Sequence, residues 1–403
     1  MFDRLKDNLW YNNGMNSRVK VSVLVPIYNV EAFLPECLDS LVGQTLKDIE
    51  IICINDGSKD RSLEIIKDYA KKDSRIIVIN KENSGYGDSM NRGLKKATGE
   101  YIGIVESDDF IDLDAFEKLY RIAKEKDAEV VKSNFYYYFG EKNEDDGKSN
   151  LFPPSELGRV VDPRSEHNIF YQAPCIWAAI YKNDFLKKNA IEFLPSPGAA
   201  YQDAGFNFKV WAMARRVYFV RRAFLHYRQD NANSSVKDSG KIYCVKDEYD
   251  EAEKFLIKNG LMDELGPVVF TCRFGGYVWN LGRLKFRAAM EFANVVKLDY
   301  ERAKEEGYLD FEKMDGVGRY NAGLLEIRHP KLHLFLRPFG NIKNNVIRII
   351  KESIKKISPR YRQRLKTIDF IGKINNVQAD IAEMIAEVEQ IKIRSDDEKK
   401  KRK

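Results

Sequence analysis

Residues 19–29, VKVSVLVPIYN, decide how the rest of the chain is read. Seven of the first nine positions are apolar or hydroxylated, β-branched residues dominate, and Pro26 and Asn29 close the run. Such a continuous apolar run, ended by turn residues, predicts a strand buried on both faces in a parallel sheet. A helical pattern follows over 31–46, with Phe33, Leu34, Cys37, Leu38 and Leu41 on one face. The alternation then repeats. IEIICIN (49–55) reads as a strand ended by Asp56-Gly57-Ser58, and 63–71 as a helix. RIIVIN (75–80) is a strand, 91–97 a helix and EYIGIVE (100–106) a fourth strand. Strands alternating with helices predict an α/β fold with a mostly parallel, Rossmann-like sheet.

Further sheet or core elements are expected at 128–139 and in the aromatic-rich 170–182. The polar stretch 140–165 reads as a long loop. The expected organisation is a polar arm over 1–18, a sheet domain over 19–240, a helical region over 241–335 and a distinct end over 336–403.

At 403 residues, with 44% hydrophobic and 32% charged side chains, the chain has ample apolar material for a packed core and is not a disordered polymer. No apolar run approaches the roughly 20 residues of a membrane-spanning helix, and the first residues lack the apolar stretch of a signal peptide. The five scattered cysteines form no CxxC pair. They are expected to be reduced thiols rather than a disulfide framework or a zinc site. These features together predict a cytoplasmic protein.

In open α/β sheets, ligands bind beyond the carboxyl ends of the strands. Here those ends carry Pro26-Tyr28-Asn29, Asp56-Gly57-Ser58 and Glu106-Ser107-Asp108-Asp109. PIYNVE stands where a dinucleotide enzyme would place GxGxxG, and no Walker loop occurs. Three carboxylates within four residues repel one another unless a cation is bound, and hard divalent cations take oxygen ligands. The competing reading is a solvated turn with Asp109 capping a helix.

The set VSVLVPIYN, INDGSKDRS, NSGYGDSMNRGL, ATGEYIGIVESDD and GAAYQDAGF, in that order, resembles the motif set of the family 2 inverting glycosyltransferases, which have the GT-A fold. The likeness covers about residues 20–240. It implies a nucleotide-diphosphate sugar donor, UDP-linked, with Mg²⁺ or Mn²⁺. It implies a nucleotide site at Pro26, Tyr28, Asn29, Glu31, Asp56, Ser84, Asn91, Arg92, Ser107 and Arg228. A carboxylate at Asp56 would accept from the base N3–H, and an aromatic would stack on the base. Asp108 and Asp109 would hold the metal, with Glu106 standing where Asp is commoner. Arg follows Asn91 rather than preceding it, so the basic contact to the donor falls to Arg92 or is absent. Asp203, in a Gln-Asp pair where Glu-Asp is usual, would be the catalytic base. Taken alone, Asp203 reads equally as a helix N-cap. His226 is either a metal ligand or a packed histidine. Trp177 is expected on the acceptor side, and Trp211 in the core. The competing readings are a nucleotidyltransferase and a catalytically silent scaffold that works through its C-terminus.

The charge of +6 is uneven. Between 331 and 373, twelve Lys and Arg stand against two acids, a local +10. Residues 374–403 are balanced, so the first 330 carry −4. Val346, Ile347, Ile350, Ile354 and Ile357 share one face among lysines and arginines, a basic amphipathic helix of the kind that lies on anionic membrane. The alternative is a surface helix packed on the body. Aromatics are sparse among these basic residues, which disfavours nucleic acid. Phe370, Ile374, Val377, Ile381, Met384, Val388 and Ile391 repeat at 4-3 spacing, a short coiled-coil seam for self-association through 370–391 or for folding back on the chain. With lipid-linked acceptors common in the resembled family, the expected place is the inner membrane face, beside a glycan or lipid-linked acceptor in surface polysaccharide synthesis.

Overall fold

The computed structural model describes residues 19–140, 152, 155–231, 242–309 and, further on, 330, 331 and 334. The first strand, β1 (Val21–Ile27), is buried along its whole length. It is followed by α1 (Leu34–Val42), β2 (Ile49–Asp56), α2 (Ser62–Lys72), β3 (Ile76–Lys81), α3 (Tyr86–Lys96) and β4 (Tyr101–Ile104). β1 pairs in parallel with both β2 and β4, and β2 pairs in parallel with β3. β1 thus sits where the strand order reverses, the place where α/β sheets leave a crevice for ligands. Pro26 stands beyond the last β1–β4 partners, Leu24 and Ile104, so the missing N–H falls where that ladder has ended.

The second half of the sheet differs. It contains β5 (Phe110–Ile111), β6 (Val130–Tyr138), β7 (Val160–Val161), β8 (Ala179–Lys182) and β9 (Val217–Arg228), with α4 (Ala115–Lys126), α5 (Asn183–Lys188) and α6 (Gln202–Met213) between them. The order across the sheet is β3-β2-β1-β4-β8-β6-β9-β5, with β7 on β9. β6 and β9 run parallel, but β4–β8, β6–β8, β5–β9 and β7–β9 are antiparallel. The mostly parallel sheet expected from the sequence is therefore corrected to a mixed one. Parallel pairing needs a long crossover, and β5, β7 and β8 are short strands that return through loops. β7 also lies inside the stretch expected to be wholly loop.

Three helices follow: α7 (Cys244–Lys258), α8 (Met262–Arg283) and α9 (Phe286–Glu305). The chain divides into two compact units, one of Met1–Lys285 with Glu301–Asn321 and one of Phe286–Tyr300 with Ala322–Lys403. α7 and α8 thus belong with the sheet, where α7 packs on α6. Among the described residues no helix is long and apolar enough to cross a membrane. The basic amphipathic helix and the heptad seam of 336–403 lie outside the described residues.

Candidate active site

The ends of β1 and β2 are laced together by their own polar side chains. Ser58 Oγ accepts from the Asn29 amide at 3.1 Å, and Asn29 Oδ1 accepts from the Lys59 amide at 2.7 Å. Glu31 accepts from the Arg61 amide at 2.8 Å, while Asp60 accepts from the Glu31 amide at 2.9 Å. Asn29 and Glu31, expected to touch nucleotide, are engaged in holding this loop pair. Pro26 is buried within β1, and Tyr28 is left 51% exposed with a ring open to stacking.

Asp56 is buried and fully engaged. Its Oδ1 accepts from the Ser84 amide at 2.8 Å, and its Oδ2 from the Gly85 amide at 3.0 Å. The Lys81 ammonium pairs with it from a side chain only 4% exposed. Lys81 also reaches Ser84 Oγ at 2.5 Å and Asp88 at 3.2 Å, and Arg92 pairs with Asp88 at 2.9 Å. Sequence reading missed Lys81. Its signal was positional, because the β2–β3 register sets Asp56 opposite Lys81. Gly85 has φ +98, and a Cβ there would lie 2.5 Å from the Ser196 carbonyl. Only glycine allows the loop before α6 to rest on the start of α3. Asn91 bonds Phe193 in both directions at 2.8 Å. Asn91 therefore fastens that loop.

The acidic turn after β4 is held from several sides. Tyr86 donates to Glu106 at 2.7 Å, and burial pushes the Glu106 carboxyl up to about 8. Ser107 is buried within the turn. Asn231 donates to Asp108 Oδ2 at 2.8 Å. Asp109 Oδ1 accepts from the Arg228 amide at 2.8 Å, while its buried Oδ2 meets no partner among the described residues. Burial, then the Asp108 charge, raises the Asp109 carboxyl well above the ordinary range.

Two expected site residues are placed differently. Arg228 was expected on the donor diphosphate. It is buried, donating from Nε to the Asp108 carbonyl at 2.7 Å and pairing with Glu36, between the rings of Phe33 and Tyr138 at 4.7 and 4.8 Å. It clamps the end of β9 to the acidic turn. His226 stacks on Phe110 at 4.3 Å and on Tyr136 at 5.1 Å, and its Nε2 meets Asp112 at 3.0 Å. His226 is thus packed between rings, while its buried Nδ1 meets no partner among the described residues.

Asp203 lies in the first turn of α6. The helix begins at Gln202 and its cap position is Tyr201, so Asp203 is not the N-cap. Tyr201 has φ 64, a left-handed conformation uncommon for a residue with a side chain. Its hydroxyl bonds Asn280 at 2.8 Å. Gln202 braces the preceding loop through Ser196 Oγ at 2.8 Å. The Asp203 carboxylate accepts from the Ala204 amide at 2.9 Å, and burial raises it to about 6. Its charge in turn raises Glu106 and Tyr86. The structure thus brings the late Gln-Asp motif into electrostatic reach of the acidic turn, across almost 100 residues of sequence.

Trp177 is half-buried, stacked on Tyr227 at 4.9 Å and edge-on to Phe135 at 4.6 Å. Burial and then the Asp109 and Asp108 charges push the Tyr227 hydroxyl up to about 12, which sets this aromatic wall beside the acidic turn. Trp211 is buried core, as expected.

A family model described as Glycosyl transferase family 2 matches residues 22–184, a span that ends before Asp203. The chain is 36% identical over 220 residues to the uncharacterized glycosyltransferase EpsJ of Bacillus subtilis, covering 53% of this chain and 62% of that protein. It is 44% identical over 219 residues to glycosyltransferase GlyG of Streptococcus pneumoniae, covering 52% of this chain and 70% of that protein. It is 34% identical over 206 residues to a poly(ribitol-phosphate) beta-glucosyltransferase of Bacillus spizizenii, covering 49% of this chain and 30% of that protein. The chain therefore spans from under a third to about two thirds of these relatives' own lengths.

Proposed function

This chain belongs to the family 2 glycosyltransferases, and we propose from that premise that it moves a sugar from a UDP-sugar to a hydroxyl of a glycan or lipid-linked acceptor, with inversion, during synthesis of a surface polysaccharide. The name of the Bacillus spizizenii relative, a glucosyltransferase acting on poly(ribitol-phosphate), favours a surface polymer as the setting.

One observation carries the mechanism. Asp203 is a carboxylate raised by burial to about 6 that still ionises below neutral pH, and it acts electrostatically on the acidic turn. A general base works best when its pKa lies near the operating pH. The acceptor oxygen would attack the anomeric carbon as its proton passes to Asp203. The bond from that carbon to the donor phosphate oxygen breaks, and the nucleoside diphosphate leaves from the opposite face.

The turn also fits a divalent cation. Asp108 offers a partly exposed carboxylate, and Asp109 a buried oxygen without a partner. Among the described residues no group of three ligating side chains gathers. Mg²⁺ or Mn²⁺ would be held by these one or two carboxylates plus substrate phosphates. Bound there, the ion supplies positive charge to the departing diphosphate. Glu106, turned to Tyr86, would face the sugar more than the ion. Tyr28 would stack on the base. Asp56, already saturated, would hold the Ser84–Gly85 loop that borders the nucleotide. The membrane and self-association roles of 336–403 stand as proposals beside this one. Deleting 336–403 should release the protein from phosphatidylglycerol vesicles.

The test is Asp203→Asn. It should lower transfer by orders of magnitude and leave nucleotide-sugar binding, measured by thermal shift across a panel of donors, intact. Retained turnover would remove Asp203 from the role.

A further inference from the structure

β6 carries a lysine where its pattern calls for an apolar residue. Lys132 lies in the run Val130-Val131-Lys132-Ser133 and is 1% exposed. An unpaired ammonium in such a place costs far more than a methionine of similar volume. Packing therefore gives no reason for it.

Its surroundings give another. The Lys132 Nζ reaches Asn207 Oδ1 at 3.4 Å and lies 5.3 Å from the centroid of the Trp211 ring. Asn207 and Trp211 follow Asp203 by four and eight residues. They continue the α6 face on which Asp203 begins. The helix that presents the candidate base thus lies along a buried cation. No ion pair joins Lys132 to a carboxylate among the described residues, so its field is not spent on a contact.

Burial lowers the Lys132 ammonium to about 8, which leaves it charged at pH 7. Beside the Cys175 thiol, the group that favours its charge is the Asp203 carboxylate. Seen from Asp203, Lys132 is the charge that opposes the upward push of burial. The other titratable groups coupled to Asp203 are Glu106 after β4, Tyr86 on α3, Tyr201 before α6 and Glu248 on α7, and none of them is a cation.

We propose that Lys132 is a positioning residue for the candidate base: from beneath α6, its ammonium holds the Asp203 carboxylate ionised and ready to take a proton. This rests on the reading of Asp203 as the base, and it concerns this chain's own strand β6.

The test uses the full chain and needs no knowledge of the sugar. Wild type, Lys132→Met, Asp203→Asn and the double variant are melted between pH 5 and pH 7, where Lys132 keeps its charge. Without the ammonium, Asp203 ionises only at higher pH. Lys132→Met should therefore lose melting temperature relative to wild type as pH rises. In the Asp203→Asn background the same change should show no pH trend. A difference that is flat with pH, or a trend that survives in Asp203→Asn, would overturn the proposal.

If Lys132→Met does not fold, Lys132→Gln removes the charge and keeps a polar end for Asn207. It should produce the same trend, and its absence would count against the proposal equally. The two readings separate cleanly. A flat profile with transfer lost in Asp203→Asn sinks Lys132 alone. A pH trend with transfer retained in Asp203→Asn sinks the base assignment alone.

Discussion

Two carboxylates mark the two halves of the candidate site, and the protein treats them in opposite ways. Asp56, at the end of β2, accepts two backbone amides and a buried ammonium. Asp203, at the start of α6, has one amide from its neighbour and a cation that does not touch it. A carboxylate whose hydrogen bonds are all satisfied is a structural anchor, stable and inert. One that is desolvated and under-satisfied is poised to take a proton. The comparison separates scaffold from chemistry within a single acidic region.

The sharpest way to break that contrast is Asp203→Asn, which should lower transfer by roughly 10²–10⁴-fold, the usual worth of a general base. The same change should raise stability. The folded carboxyl titrates near 6 against 3.8 for a free aspartate. A raised acid contributes stability below the lower value and loses it as pH climbs through the upper one. Above pH 6 the asparagine variant should therefore be more stable than wild type by up to about 3 kcal/mol, and below pH 4 the gain should vanish. A melting curve that moved at pH 4 as much as at pH 7.5 would contradict a desolvated, ionised Asp203.

The mirror experiment is Lys81→Met. It strips the buried cation from Asp56, and breaking a buried pair from one side costs about 3–5 kcal/mol. Because two amides still hold Asp56, the lower figure is expected by denaturant titration. Loss of stability should accompany loss of nucleotide binding, whereas at Asp203 the two move apart. Asp108→Ala should weaken Mn²⁺ binding in the presence of UDP at least tenfold, read by calorimetry, with little change in melting temperature. Unchanged metal affinity would take Asp108 out of the cation site.

Much of this contrast was legible in the chain and part was not. The strand β1 and the crevice around it followed from VKVSVLVPIYN, because an apolar run ended by Pro and Asn leaves few alternatives. Asp108 and Asp203 stood out through their motifs. The antiparallel half of the sheet did not, because β5 and β7 are two residues each and carry no readable period. Arg228 and Asn91 read as ligand contacts because their residue types suit phosphate and sugar. Only the fold shows them occupied by Glu36 and Phe193. Lys81 and Lys132 were invisible for the opposite reason. A lysine in a strand reads as solvent-facing, and what makes these two matter is a register partner in one case and a helix face in the other.

Arg92 offers the smallest effect and the finest discrimination. It belongs to the saturated side, yet its side chain is 52% exposed and, among the described residues, its one pairing is to Asp88, four residues back on α3. Exposed pairs at this spacing are worth only about 0.3–0.5 kcal/mol, and Asp88 keeps Ser84 at 2.5 Å and Lys81 at 3.2 Å when Arg92 is removed. Arg92→Ala should therefore leave the melting temperature within about a degree. An effect on UDP binding cannot then be laid to the scaffold. If Arg92 serves the donor, the UDP dissociation constant should rise several-fold, and the rise should shrink at high salt as expected for an exposed charge. An unchanged constant would assign Arg92 to the helix surface and leave the diphosphate to the metal alone.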